Sequence, residues 1–304
     1  MTGHGEGPSP GDLTEEDLRS LDDLVTDALS SGNEQRLPVL GYGEISLVLG
    51  WPPEGFRFAC KRLPPFRSRA QFDAYRETLR DYVSALESAG VRVVDTELRA
   101  VERDDGGIAG YVVQPMLPTD QLAPALLRQA APEPGHPLVD AVASTVAAVV
   151  SPSLGLDAQL ANWTWDGERL TYFDVSTPLI WSPEGRSRLD LDLIVQAYPA
   201  MLRWHLRRFV APGILDTYRN LRKAYLDLSG NLLKERLDGW LPRFLERANT
   251  HLTEPLDEDE VRRYYRSDAR LWGALLRIRR VDRAWRRRVR RRPYPFLLPG
   301  RIER

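Results

Sequence analysis

An aspartate, an asparagine five residues on and a second aspartate twelve beyond that stand in GLDAQLANWTWDGERLTYFDVSTP, residues 155–178. Asp157 and Asn162 fall in an irregular segment able to direct both side chains toward one point. Asp174 ends a strand-like LTYFD, where a carboxylate after apolar aromatics stands at a cleft edge. A carboxylate and an amide oxygen suit Mg2+, with phosphate oxygens completing the shell, and a second carboxylate can then accept a hydroxyl proton. Upstream, Gly41, Gly43 and Ser46 in GYGEIS lie between two apolar strand-like pieces. Two glycines let a hairpin turn bring backbone N–H groups to a phosphate, and Ser46 adds a hydroxyl, although a G-x-G at a hairpin tip is more often only a turn. Lys61 follows Phe56, Phe58 and Cys60 in strict alternation. Period two sets it opposite Phe58 and Cys60, so its ammonium either reaches solvent or enters a cleft. Glu77, sixteen residues further, shares a helical stretch with Asp73, Asp81 and Glu87; its position favours it as the carboxylate that holds the Lys61 ammonium.

The elements that must position these groups follow from periodicity and punctuation. Residues 1–12 are Gly/Pro-rich and polar and are expected to be disordered. Thr14 and Asp17 form a capping-box pair before Leu18, Leu21, Val25 and Leu29 at helical spacing. Short β-like pieces come next: LPVLGYGEISLVLGW, GFRFACKRL, VRVVDTELRAVE and GIAGYVVQPML. One long helix interrupts them, RSRAQFDAYRETLRDYVSALESAG, with Phe72, Tyr75, Leu79, Tyr82, Val83 and Leu86 along one side and Gly90 as C-terminal cap. Helices dominate residues 119–150, NWTWDGERLTYFDV reads as a hairpin turning at Asp166-Gly167, and nearly everything from Asp190 onward reads helical. The chain thus divides into a disordered leader (1–12), a helix with a β-rich lobe (13–117), a helical lobe carrying the Asp157 and Asp174 loops (118–275), and an arginine-rich helix and tail (276–304). A β-rich lobe set against a helical one leaves a cleft between them.

Taken in order, Gly41-x-Gly43, Lys61, Glu77, VVQPML, Asp157-x-x-x-x-Asn162 and Asp174 resemble the protein-kinase-like superfamily over roughly residues 36–200. The series is most similar to the branch with aminoglycoside and choline phosphotransferases, and it also resembles an actinobacterial domain family of unknown function. The resemblance implies an α+β, two-lobed protein-kinase-like fold with a β-rich N-lobe, a mainly helical C-lobe and an extended helical C-terminus. It implies ATP and Mg2+: Gly41, Gly43 and Ser46 over the phosphates, Lys61 on the α- and β-phosphates and paired with Glu77, and Gln114 to Leu117, with Gln114 and Met116, as the adenine hinge. Asp157 becomes the catalytic aspartate, and Asn162 and Asp174 hold the metal. Two departures stand out. Gly155-Leu156-Asp157 lacks the histidine of H-x-D, and Val175-Ser176 replaces the F-G or W-E pair after the metal-binding aspartate. These argue against an ordinary Ser/Thr kinase and leave two readings: a phosphotransferase acting on a hydroxyl of a small molecule or peptide, or a pseudokinase-like binding module.

Composition narrows the remaining classes. No run of about 18 apolar residues and no signal peptide are present, so a cytoplasmic location is expected. A single cysteine excludes internal disulfides, and four scattered histidines give no zinc constellation. Between Arg277 and Arg304 stand twelve arginines against Asp282 and Glu303, while the whole chain nets −1. That end suits an anionic partner, RNA, lipid or the protein's own acidic body, yet Trp272, Leu275, Leu276, Ile278, Val281, Trp285 and Val289, mostly on one side, favour a packed amphipathic helix.

Overall fold

A computed structural model describes residues 7–43, 46–103 and 106–291 together with Tyr294, Phe296 and Leu298. Of the leader expected to be disordered, residues 1–6 lie outside the described residues, and Pro10–Asp12 form a 3-10 turn with Pro10 buried. Helix α1 (Glu15–Ser31) starts at the capping box read from the sequence. The Asp17 N–H donates to Thr14 Oγ1 (3.1 Å) and the Thr14 N–H to Asp17 Oδ2 (3.2 Å). Gly32, at φ 78°, ends it in the left-handed conformation that glycine adopts without a Cβ penalty. Its periodic face, Leu18, Leu21, Val25 and Leu29, is buried against the outer face of the sheet with Leu49, Phe58, Cys60 and Tyr111. Each such burial contributes about 1.5–3 kcal/mol, so α1 belongs to the N-terminal core.

That sheet is antiparallel and five-stranded, in the order β1-β2-β3-β6-β5, with β1 (Val39–Tyr42), β2 (Leu47–Trp51), β3 (Phe58–Arg62), β5 (Glu97–Glu102) and β6 (Ile108–Pro115). Lys61 faces Val48 on one side and Val112 on the other, in the middle of the sheet. Helix α2 (Arg69–Ser88) crosses from β3 toward β4 (Arg92–Val93) and buries Phe72, Tyr75, Thr78, Leu79, Tyr82 and Leu86 against the other face. β4 leaves the large sheet and pairs in parallel with β8 (Leu170–Tyr172), which pairs with β7 (Trp163–Trp165). The β7–β8 hairpin turns through Asp166–Arg169. Asp166 Oδ1 accepts the N–H groups of Glu168 and Arg169, and Gly167 takes φ 100°.

The helical part holds α3 (Ala123–Gln129), α4 (Pro137–Val149), α5 (Leu191–Val195), α6 (Ala200–His205), a π-helical segment (Leu206–Val210), α7 (Ala211–Tyr218), α8 (Leu221–Lys234), α9 (Leu241–Asn249) and α10 (Glu258–Arg288). The architecture is α+β, a β-rich N-terminal lobe and a helical C-terminal lobe. α10 runs without a break past residue 275, where a boundary was expected. It buries Leu275, but Val281, Trp285 and Val289 are 69%, 44% and 67% exposed, so the apolar side expected to be packed is packed only in part. Near its end Arg283 and Arg287 reach back to Glu34 (3.6 and 2.9 Å), which ties the last helix to the N-terminal lobe.

Candidate active site

Lys61 and Asp174 meet across the cleft. The extended backbone of β3 sends Lys61 away from the Cys60 face, and Lys61 Nζ lies 2.7 Å from Asp174 Oδ1, just after β8. The Ser176 hydroxyl donates to the same oxygen at 2.8 Å. Burial works to raise the Asp174 carboxyl. The Lys61 ammonium and the Ser176 bonds outweigh it and hold the group below its ordinary value. Asp157 shares the cavity without such a partner, and burial, then the charges of Asp227 and Asp174, push its carboxyl up to about 7. The Gln159 N–H and the Lys61 charge oppose that rise. The Asn162 amide nitrogen donates to the Asp157 carbonyl at 3.1 Å, which leaves the side-chain oxygen as the end open to a ligand.

Gly155 explains how the loop stands without a histidine. A Cβ at that position would lie 2.9 Å from Trp181 Cζ3 and 3.0 Å from the Tyr218 carbonyl, so the indole already fills the space a larger side chain needs. The loop is braced around it: the Gly155 N–H donates to the Leu179 carbonyl (2.7 Å), the Leu156 N–H to Tyr218 (3.0 Å), and the Tyr82 hydroxyl to the Gly155 carbonyl (3.2 Å). The Trp181 ring in turn packs under the Arg219 guanidinium, 5.3 Å from its centroid.

Of the sequence-predicted residues, Gly43, Ser46, Lys61, Asp157, Asn162 and Asp174 line one cavity of about 490 Å³. The Gly43 N–H donates to the Ser46 carbonyl (3.1 Å), and a Cβ on Gly43 would collide with Ser46 Oγ; Glu44 and Ile45 lie outside the described residues. Gly41 is paired in β1 opposite Val48 and does not reach the cavity. Glu77 is not brought to Lys61. It is exposed on α2, while the buried side of that helix carries Tyr75, whose hydroxyl donates to the Ser176 carbonyl at 2.7 Å. Gln114 and Met116 are not hinge donors in this arrangement. The Met116 N–H donates to the Arg57 carbonyl (2.8 Å), since the β3–β6 ladder runs on past Pro115, and Gln114 Nε2 donates to the Phe173 carbonyl (2.7 Å) and Thr96 Oγ1 (2.9 Å).

Sequence reasoning missed four residues. Tyr75 and Ser176 support the Asp174 turn. Asp227, on α8, accepts from the Tyr264 hydroxyl (2.7 Å), and burial first of all raises its carboxyl to about 6. Lys234, at the end of α8, lines the cavity beside Gln159. Helical spacing marked Tyr75 as inward, whereas Asp227 lies seventy residues beyond Asp157 with no motif to announce it. The cavity wall past Asp157 is apolar, with Leu193, Ile194, Leu206, Val210, Ile214 and Leu275. Among the described residues no helix is long and apolar enough to cross a membrane.

The chain belongs to a family of unknown function, DUF6206, which it matches over residues 20–283. Among solved structures it is similar to WaaP, determined in complex with acyl carrier protein, at 16% identity and TM-score 0.37, covering 84% of this chain and 92% of that one. It is also similar to the MAP kinase LmaMPK10 from Leishmania major, at 12% identity and TM-score 0.29, covering 83% and 98%. Comparison with curated proteins gave no match.

Proposed function

We propose that the cavity binds a nucleoside triphosphate with Mg2+ and transfers its terminal phosphoryl group to an acceptor hydroxyl. The observation that carries this reading is the Lys61–Asp174 pair at 2.7 Å, joined in one cavity by Asp157 and Asn162. Gly43 and Ser46 would lie over the phosphates, Lys61 would hold phosphate oxygens, and Asn162 and Asp174 would hold the metal. Among the described residues no three His, Cys, Asp or Glu side chains gather into a metal cage. A divalent ion here would therefore draw part of its shell from phosphate oxygens, as Mg2+ commonly does. When bound, Mg2+ neutralises charge on the transferring group. Asp157 would orient the acceptor and take its proton; a carboxyl raised to about 7 is matched to a hydroxyl that must lose a proton near neutral pH. Its neighbour Asp174, held ionised by Lys61, keeps a fixed negative charge for the metal.

A binding module without turnover is the second reading. It is supported by the Met116 N–H already engaged by Arg57, which removes a backbone donor to an adenine ring, and by Gly155 in place of the loop histidine. Thermal-shift titration with ATP or GTP and Mg2+, followed by phosphate release over a panel of small-molecule and peptide hydroxyls, separates the two. Turnover that disappears with Asp157→Asn supports the transferase, binding without turnover supports the module, and absence of any nucleotide binding refutes the first reading.

A further inference from the structure

Helix α6 and the π-helical segment after it have two unlike sides. Inward, Leu206 is buried with Tyr198, Leu275 and Tyr294, and Leu206 and Val210 line the cavity. Outward, Met201 is 88% exposed, Trp204 70% and Phe209 58%. Trp204 and Phe209 are five residues apart, a spacing that an α-helix would turn about 140° from one another at 3.6 residues per turn. The wider π turn brings them together instead, edge to face at 5.6 Å, with His205 against Phe209 at 5.0 Å. Pro212 supplies a local cause: it has no N–H to give the Arg208 carbonyl four residues back, so regular α pairing fails there.

Cations surround this apolar group. Arg207 and Arg208 are exposed, and the Arg208 guanidinium lies 5.7 Å from the Phe209 centroid. Arg207 also touches Asp192 at 2.9 Å while its side chain stays 57% exposed. Aromatic and thioether tips that stand out of a helix among guanidinium groups fit the interface of an anionic bilayer. The tips enter the acyl boundary and the guanidinium forks meet lipid phosphate. A two-fold contact with a second copy would instead set the same arginines against each other. Nucleic acid would leave Met201, the most exposed of the three, with nothing to stack on.

We propose that the face formed by Met201, Trp204, Phe209, Arg207 and Arg208 docks the protein on an anionic lipid surface. The association is peripheral, since no described helix can span a bilayer. Docking sets the bilayer against the outer side of the same segment whose inner side, through Leu206 and Val210, walls the cavity.

Vesicle flotation of the full chain tests this with phosphatidylcholine alone and with phosphatidylcholine and phosphatidylglycerol in equal parts. Binding is expected only to the mixed vesicles and is expected to fall steeply with added salt. The double change Trp204→Glu, Phe209→Glu should abolish it, and Arg207→Glu, Arg208→Glu should weaken it about tenfold or more. Trp204→Phe should retain it, and an unchanged melting temperature in every variant shows that the fold survives. Equal binding to neutral vesicles, full binding by the glutamate variants, or a lipid-independent dimer that the same substitutions dissociate would each overturn the proposal. So would capture of single-stranded RNA in preference to the mixed vesicles. Nucleotide binding measured without vesicles should be the same in all three variants, so that failure at the membrane and failure of the phosphotransferase reading are told apart.

Discussion

Two neighbouring cations on β3 meet two aspartates on opposite faces of the same sheet, with different outcomes. Arg62 points toward α1, where Asp22 accepts two bonds from Arg103 (2.9 and 2.8 Å) and one from the Tyr111 hydroxyl (2.7 Å), with Arg62 Nε 3.6 Å away. The Asp22 side chain is only 4% exposed and its oxygens are consumed by fixed partners. Lys61, one residue earlier, points into the cleft and meets Asp174, whose side chain remains 25% exposed. A carboxylate that holds a fold is saturated and sealed; one able to serve a ligand keeps an oxygen and a path to solvent. Alternation along a single strand separates the two uses of charge by one residue.

Five changes should break or sharpen that contrast. The largest effect on stability is expected from Asp22→Ala, which leaves the half-buried Arg103 and the buried Tyr111 hydroxyl without this acceptor and takes the carboxylate from beside the buried Arg62. It should cost about 3–5 kcal/mol in denaturant unfolding. Retention of wild-type stability would mean that water or another side chain replaces the carboxylate. Asp174→Asn should behave oppositely, with phosphoryl transfer lowered by about a thousandfold or more and the melting temperature nearly kept. A drop in both would make Asp174 a structural residue like Asp22.

Asp157→Asn probes the carboxyl that has no cation of its own. Because its folded value, about 7, lies above the ordinary value of an aspartate carboxyl, the native state binds a proton that the unfolded chain has released. The stability this provides is complete below about pH 4 and is lost as pH rises toward 7. The asparagine variant should therefore be more stable than wild type in denaturant unfolding at neutral pH, by roughly 1.4 kcal/mol for each unit of raised value it removes, and should flatten the decline between pH 4 and 7. Turnover should fall about 10²- to 10⁴-fold at the same time. Smallest of all, Tyr75→Phe should lose about 1 kcal/mol with its bond to Ser176, while Glu77→Gln stays within about 0.5 kcal/mol and leaves nucleotide binding unchanged. A large effect at Glu77 would restore the carboxylate–lysine pairing that the resemblance implied.

The contrast between Tyr75 and Glu77 also marks what could be read in advance. The strands, α1 and α2 were legible because burial imposes period two or 3.6 on residue type: Phe58 and Cys60 against Lys61, and Phe72, Tyr75, Leu79, Tyr82 and Leu86 along α2. That same period places Glu77 two residues, or 200°, from Tyr75 and so on the outer side, information that the family pattern overrode. Asp157, Asn162 and Asp174 were legible as an ordered set, since the β7–β8 hairpin that brings them together was itself marked by Asp166-Gly167. The engaged Met116 N–H was not, because it depends on where the β3–β6 ladder stops. Nor was the arginine-rich helix, whose partners are set by packing: Glu34 is some 250 residues away from Arg283 and Arg287.

Trp181 beside Gly155 has a consequence for how the Asp157 loop responds to its medium. Where an imidazole brace would gain and lose charge in the same range as the aspartate beside it, an indole carries none. The Tyr82 phenol that joins it is raised above its ordinary value by burial first and by the Asp157 charge second, so it too stays neutral. Neither the indole nor the phenol changes charge across the interval in which Asp157 titrates, so the charge that varies beside it there is that of Asp227, itself raised to about 6.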